Sequence, residues 1–522
     1  MKGGGFVKKI FIFLTLLILS VTMVACQDND VIYDEEPDLV LDAARFTELE
    51  NTLDAEIPYF FNQNILLPSV SDFTLEWTFN DEAITNILIY EPPMIDTEVT
   101  LSVVAHFGET TETYTFEMLQ LAPDSAANAN VMHIQVDIPI EDVTKTTYRN
   151  ASVRVFGRNN SQYRVVFENN MVEIRGRGNS TWAMPKRPYR LKFSEDVSIL
   201  GMPAARNYVL LNEYADKSLL RNTIAYKFSG MLTHIEHAAS TRVVEVYFNG
   251  RYNGVYTLTE HMEIHENKLF VPTDPNSLDA GYFFELDQRF YEHGYIEGYD
   301  GFNVSNNPYT VKFPSDDILT PSHIEYIRNY VVDMESALRN QSGYENYLDV
   351  DNFIDYFIVQ ELFKNVDVGW GSVFVYKRPN EVLKLGPIWD FDLAIGNADY
   401  IDYGFQNWYG MRDHKNIWFQ LMMAIPEVRT RFRDRYIEIY DTIIPDILRV
   451  VESFGEAMQP VANRNFNRWD ILNHYVWPNP NEVVSQTTYQ GQVDYIYNYI
   501  DQRATWMYYA VQSPNFQNGI FD

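Results

Sequence analysis

Two aspartates flank a phenylalanine in the run Ile388–Trp389–Asp390–Phe391–Asp392–Leu393–Ala394–Ile395–Gly396–Asn397. A further aspartate closes the segment Phe363–Lys364–Asn365–Val366–Asp367 upstream. The stretch between them reads as a β-hairpin: Ser372–Tyr376, a Pro379–Asn380 turn, then Val382–Leu385. A hairpin returns the chain to the edge it left, so Asp367 and Asp390 are expected side by side. Two carboxylates at the rim of one cleft suit a divalent cation and a proton acceptor, which are the needs of phosphoryl transfer. The competing reading is a pair of solvated loop aspartates, because acidic residues are common in loops.

Cations that could face such a cleft lie earlier. The run Arg175–Gly176–Arg177–Gly178–Asn179–Ser180–Thr181–Trp182 places two glycines at alternate positions after a strand. Backbone N–H groups of such a turn can approach phosphates closely, although a tight hairpin explains the glycines equally well. Next comes Pro185–Lys186–Arg187–Pro188–Tyr189–Arg190–Leu191–Lys192–Phe193. On a strand, Tyr189, Leu191 and Phe193 share one face, and Arg190 and Lys192 the other. The cationic face either meets an anion such as a nucleotide phosphate or is a solvent-facing edge.

The elements that would position these groups follow from hydrophobic periodicity. Residues 131–263 are strand-rich, with Asn249–Gly250 as a hairpin turn and one inserted helix over Ser218–Leu232. After about residue 320 the pattern becomes helical, in Thr320–Leu338, in Asp351–Lys364 with Asp351 as its cap, and onward to residue 522. Acidic loops open where the β-rich lobe (131–263) meets the helical lobe (320–522), a two-lobed α+β layout. Ahead of it, residues 46–122 alternate as an all-β, immunoglobulin-like sandwich that would serve as a spacer, and 123–130 read as a linker.

At 522 residues the chain has room for about three domains. A formal net charge of −32 argues against nonspecific binding to nucleic acid or an anionic membrane. Lys2, Lys8 and Lys9 precede an apolar run, Ile10–Val24, and then Ala25–Cys26. This reads as a signal peptide over residues 1–26. Cys26 is the single cysteine, which rules out an intramolecular disulfide. It resembles the lipidated residue of a bacterial lipobox, and residues 27–45 read as an acidic tether. The mature chain is expected outside the cytoplasm, held to the membrane by a lipid at Cys26.

The order glycine turn, strand lysine, helix, two strands, helical lobe, acidic loop, hairpin, acidic loop follows the protein-kinase layout. With Asn253–Gly254–Val255–Tyr256–Thr257–Leu258–Thr259–Glu260, Gly281–Tyr282–Phe283–Phe284–Glu285–Leu286–Asp287 and Trp389–Asp390–Phe391–Asp392, the motifs together resemble the CotH family of atypical, spore-coat-protein-H-like kinases, over roughly residues 130–510. The resemblance implies a kinase-like fold that uses ATP with Mg²⁺ or Mn²⁺ to phosphorylate serine or threonine of a protein substrate. By motif position it implies Asp367 as the catalytic aspartate and Asp390 as the metal ligand, with Asp392 and Asn397 either supporting that ligand from behind or binding a second metal. Lys192 is the expected phosphate lysine and Lys186 the runner-up. Arg175 adds charge, and Glu260 marks a hinge whose backbone contacts adenine.

Departures from that pattern leave an alternative, a non-catalytic adhesin or assembly lipoprotein that keeps the fold. Ser372 stands where a kinase catalytic loop carries asparagine, and the inserted helix has no glutamate, so Glu213 or Asp216 would have to substitute. The His234–His237 and His261–His265 pairs lack the spacing of a zinc hydrolase. Trp469, Tyr475 and Trp477 could stack on sugars, but core packing is the expectation.

Overall fold

The computed structural model describes residues 37–521 apart from 58–59, 62–63, 92, 94–96, 121–129, 160–161 and 413–415. The signal segment, Cys26, residues 27–36 of the expected tether and nearly all of the expected linker lie outside the described residues.

The first unit differs from the expected all-β sandwich. A five-stranded sheet forms from Phe60–Phe61, Thr74–Phe79, Glu82–Ile84, Thr97–Phe107 and Thr110–Gln120. A helix, Pro37–Glu56, takes the place of a second sheet and begins inside the expected tether. Phe46, Leu49 and Leu53 recur at helical spacing and share one core with Trp77, Leu101 and Val103 of the sheet. One apolar helix stripe therefore does the covering that a facing sheet does in a sandwich.

The β-rich lobe is a closed seven-stranded barrel. Its strands are Asn130–Val136, Arg149–Asn159, Gln162–Gly176, Tyr189–Val197, Ala205–Leu211, Thr241–Phe248 and Arg251–Glu260. Closure comes from parallel pairing of the first strand with Thr241–Phe248, Val244 opposite Asn130. Asn249 (φ 48°) and Gly250 (φ 80°) turn the last hairpin in the left-handed region that such a turn needs. Tyr189, Leu191 and Phe193 fill the barrel interior. A one-residue slip would expose all three, at roughly 1.5–3 kcal/mol for each side chain, and would bury Arg190 and Lys192 instead, so the register is strongly fixed.

Between barrel and helices lies a second five-stranded sheet, of which the sequence had marked only the hairpin and the strand carrying Glu285. Its order is Gly301–Val304, Asn307–Phe313, Tyr282–Leu286, Val373–Lys377, Lys384–Leu385. The last two strands are the expected hairpin, with Val375 opposite Leu385. The helical lobe begins with Pro321–Arg339, capped by Thr320, and Val350–Leu362. Asp349 caps the latter helix rather than Asp351, accepting from the Asn352 N–H at 3.1 Å. The inserted helix, Arg221–Gly230, packs into the helical lobe's core through Ile224 and Phe228. The long helix Ile444–Arg468 reaches back to the barrel, where Arg464 pairs with Glu245 at 2.6 Å.

Candidate active site

A cleft of about 540 Å³ is lined by residues of the barrel, the second sheet and the two acidic loops. Asp367, Asp390 and Asp392 all line it, so the hairpin brings the aspartates together as the sequence predicted. Ser372, at the position of the kinase asparagine, donates from Oγ to Asp390 Oδ2 at 3.2 Å. Burial and the neighbouring Asp390 push the Asp367 carboxyl up to about 7, with Glu285 adding and Arg289 opposing. Asp392 is raised well above the usual carboxylate range by burial and by Asp390, Glu213, Asp367 and Asp216. These shifts record an excess of negative charge that protons or a cation would relieve.

Asp390 sits in the left-handed region (φ 68°), an uncommon conformation that the surroundings hold in place. Its N–H meets the Tyr226 hydroxyl at 3.3 Å, and the Tyr226 ring stacks on Trp389. The next N–H, of Phe391, donates to Asn222 Oδ1 at 2.8 Å. Asn222 in turn donates to both Glu213 oxygens at 3.2 Å. Tyr226 and Asn222 both belong to the inserted helix, which therefore aims the Asp390 carboxylate. Asp216 accepts from the Leu220 and Arg221 N–H groups and from the Arg221 guanidinium. Arg221 then donates to the carbonyls of Ala394 and Ile395, tying the acidic loop to the same helix.

The cationic lining comes from other residues than expected. Lys192 stands on the outer face of the barrel, opposite Glu173 and paired with it at 3.2 Å. It does not line the cleft, because the strand turns Leu191 and Phe193 inward and so Lys192 outward. Arg175 also lies outside the cleft lining, over the Tyr148 ring. Lys186 is buried, donating to the Val255 carbonyl and to Asn465 Oδ1. Burial lowers its ammonium to about 7, partly offset by Glu213, whose own carboxyl burial raises to about 8. Lys186 and Glu213 thus lie near each other in the buried region behind the cleft, and neither lines it. Arg177, Arg289 and Lys312 are the cations that line the cleft. Lys312 pairs with Glu285 at 2.8 Å, and the Glu285 carboxylate also accepts from the Ser372 N–H at 3.1 Å.

Glu260 does not face the cleft. Its buried carboxylate accepts from the Ser240 N–H and contacts His237, each at 2.8 Å. The chain that follows, His261–Ile264, lines the cleft instead. Burial and the charges of Arg190, Arg177, Lys268 and Lys312 hold the His261 ring well below its usual value. Asn397 does not line the cleft but braces the loop behind it. It is buried and bonds to the Ala215 and Asp392 carbonyls and to Asn479. Arg177 had a legible signal, the second arginine of the glycine run; Lys312 had none, since nothing local marks its strand as facing the site.

A protein-family model described as CotH kinase protein matches residues 174–507. The chain belongs to the CotH kinase family. All the cleft-lining residues fall within the CotH match, and the helix-plus-sheet unit at the start falls outside it. No curated protein matches the chain.

Proposed function

We propose that this CotH protein is a metal-dependent phosphotransferase that moves the γ-phosphoryl of ATP to serine or threonine hydroxyls of a surface or secreted protein. The observation that carries this reading is the meeting of Asp367 and Asp390 in one cleft that Arg177 and Lys312 also line. Among the described residues, no three His, Cys, Asp or Glu side chains close into a ready-made cation cage. The donor set fits Mg²⁺ or Mn²⁺, which take one or two carboxylates and complete their shell with water and phosphate oxygens. Asp390 and Asp392 would hold the ion, which when bound neutralises phosphate charge. Asp367 orients the acceptor hydroxyl and takes its proton, a role in which the cation on Asp390 relieves the crowding that otherwise favours its protonated form. Arg177 and Lys312 supply the positive charge that phosphates need, a role first expected of Lys192. The segment His261–Ile264 takes over from Glu260 as the adenine contact.

The signal segment and Cys26 support an extracytoplasmic, lipid-anchored location. Among the described residues no helix is long and apolar enough to cross a membrane. A non-catalytic adhesin or assembly role is favoured by one observation, that Lys186 and Lys312 are both engaged by protein groups. Incubation of the chain with labelled ATP and Mn²⁺ decides between them. Phosphate transfer, autophosphorylation included, is expected from the native chain and not from Asp390→Ala or Asp367→Ala. Absence of transfer in every sample, with ATP binding unchanged in Asp390→Ala, would leave the binding-protein reading.

A further inference from the structure

Tyr475 and Trp477, expected in the core, are exposed at 57% and 52%. Trp477 lines the cleft together with Tyr400, itself 53% exposed. Their rings are near-parallel, with centroids 6.0 Å apart and planes 16° apart. The two come from distant segments that are fastened to each other. The Asp399 N–H donates to the Pro478 carbonyl at 2.8 Å, and the Tyr475 hydroxyl donates to Asp399 Oδ2 at 3.2 Å. Lys217 holds the second segment by donating to the Leu472 and His474 carbonyls. The rings are thus presented on a pinned surface, at the cost of leaving large apolar area wet.

The two ends of the cleft differ in charge. Besides its burial, His261 feels Arg190, Arg177, Lys268 and Lys312, so that its end is cationic on balance even with Glu263 and Glu285 paired to the two lysines, and it suits a nucleotide entering at His261. Tyr400 and Trp477 share the lining with Asp367, Asp390 and Asp392, and burial of the Tyr400 hydroxyl, then Asp367, Tyr409, Asp392 and Asp390, raise it. A nucleotide with its adenine at His261–Ile264 and its terminal phosphate at Asp390 leaves Tyr400 and Trp477, which line the cleft with Asp367, for the acceptor. We propose that Tyr400 and Trp477 form a stacking platform that selects acceptor peptides carrying a planar side chain near the phosphorylated hydroxyl. Guanidinium and aromatic rings share that planar face. The acidic neighbours rank guanidinium first, since a cation over an aromatic ring gains from both. The proposal rests on the phosphotransferase reading for its acceptor, but stacking can be measured without turnover.

The test is peptide binding to the full chain by fluorescence anisotropy, with Mn²⁺ and a non-hydrolysable ATP analogue. Three labelled serine peptides differ only in the residue flanking serine: arginine, tyrosine or leucine. Arginine and tyrosine peptides are expected to bind about tenfold and a fewfold tighter than leucine, with both preferences lost in Trp477→Ala and Tyr400→Ala. Equal affinities for the three peptides, no binding to any, or a preference that survives both substitutions would overturn the platform. Tighter binding of a neutral oligosaccharide such as a chitin fragment than of any peptide would also overturn it, in favour of glycan stacking. Arginine-selective binding that needs Trp477, without phosphate transfer, supports the platform and counts only against the phosphotransferase. Nucleotide affinity of the variants, measured in parallel, reports whether the cleft has stayed folded.

Discussion

Replacing Asp367 by asparagine is expected to stabilise the protein at alkaline pH while ending phosphoryl transfer. The folded state keeps a proton on this carboxyl up to about pH 7, whereas the unfolded chain releases it near 3.8. Between those values the native state binds more protons than the unfolded state, so stability falls as pH rises. The slope for one group is about 1.4 kcal/mol per pH unit, and the window spans about three units, which sets a ceiling of roughly 4 kcal/mol. Asp390 remains in the variant, and part of the cost is its repulsion with Asp367. About half the ceiling, ~2 kcal/mol, is therefore the expected gain at pH 8. For a domain of this size that is a rise of about 2–3 °C in Tm. Asparagine is nearly isosteric with the protonated acid, so the two proteins are expected to melt together near pH 4. Thermal melts by tryptophan fluorescence at pH 4, 5, 6, 7 and 8 measure this directly. Added Mn²⁺ is expected to raise the native Tm at pH 8 more than that of the variant. A variant that melts at or below the native protein at pH 8, or a gap independent of pH, would refute the picture of crowded carboxylates.

Four further substitutions probe the scaffold. Lys192→Ala is expected to cost about 0.5 kcal/mol or less, as for an exposed ion pair, and to leave ATP affinity intact. Lys186→Met removes the buried donor shared by the Val255 carbonyl and Asn465 Oδ1, the latter keeping only the Val255 N–H, and is expected to cost about 2–4 kcal/mol in urea titrations. The reverse ranking in ATP affinity would return the phosphate role to Lys192. Arg221→Met strands the Asp216 carboxylate in the core, with an expected loss of about 3–5 kcal/mol by the same titration. Asn222→Ala frees the Phe391 N–H from its anchor, and Mn²⁺-dependent ATP affinity, measured by calorimetry, is expected to fall about tenfold. Unchanged affinity there would remove the inserted helix from the account of how Asp390 is aimed.

The fold and site were legible in the sequence wherever the signal is local. Alternation put Tyr189, Leu191 and Phe193 on one strand face, Asn249–Gly250 marked the turn between the last two barrel strands, and the Ser372–Leu385 hairpin placed Asp367 beside Asp390. Each of these depends on a few consecutive residues, and period and turn chemistry act at that range. Other features were decided by distant partners. The helix Pro37–Glu56 replaces a sandwich sheet because its stripe finds Trp77 and Val103. Lys192 faces solvent because closure of the barrel decides which strand face is inside. Glu260 turns away because His237 and Ser240 meet it first.

What the sequence alone determined, then, is the inventory: the acidic loops, the strand and helix periods, and the family motifs, all written in neighbouring residues. Only the tertiary structure decided which charges face the cleft. Arg177, Arg289 and Lys312 reach it while Lys192 and Arg175 do not, and Tyr400 and Trp477 become one exposed surface from segments far apart in the chain. The physical reason is that a side chain's direction is set by the pleat or turn it sits on, but its neighbours are set by how lobes and loops pack, and charge acts through space rather than along the chain.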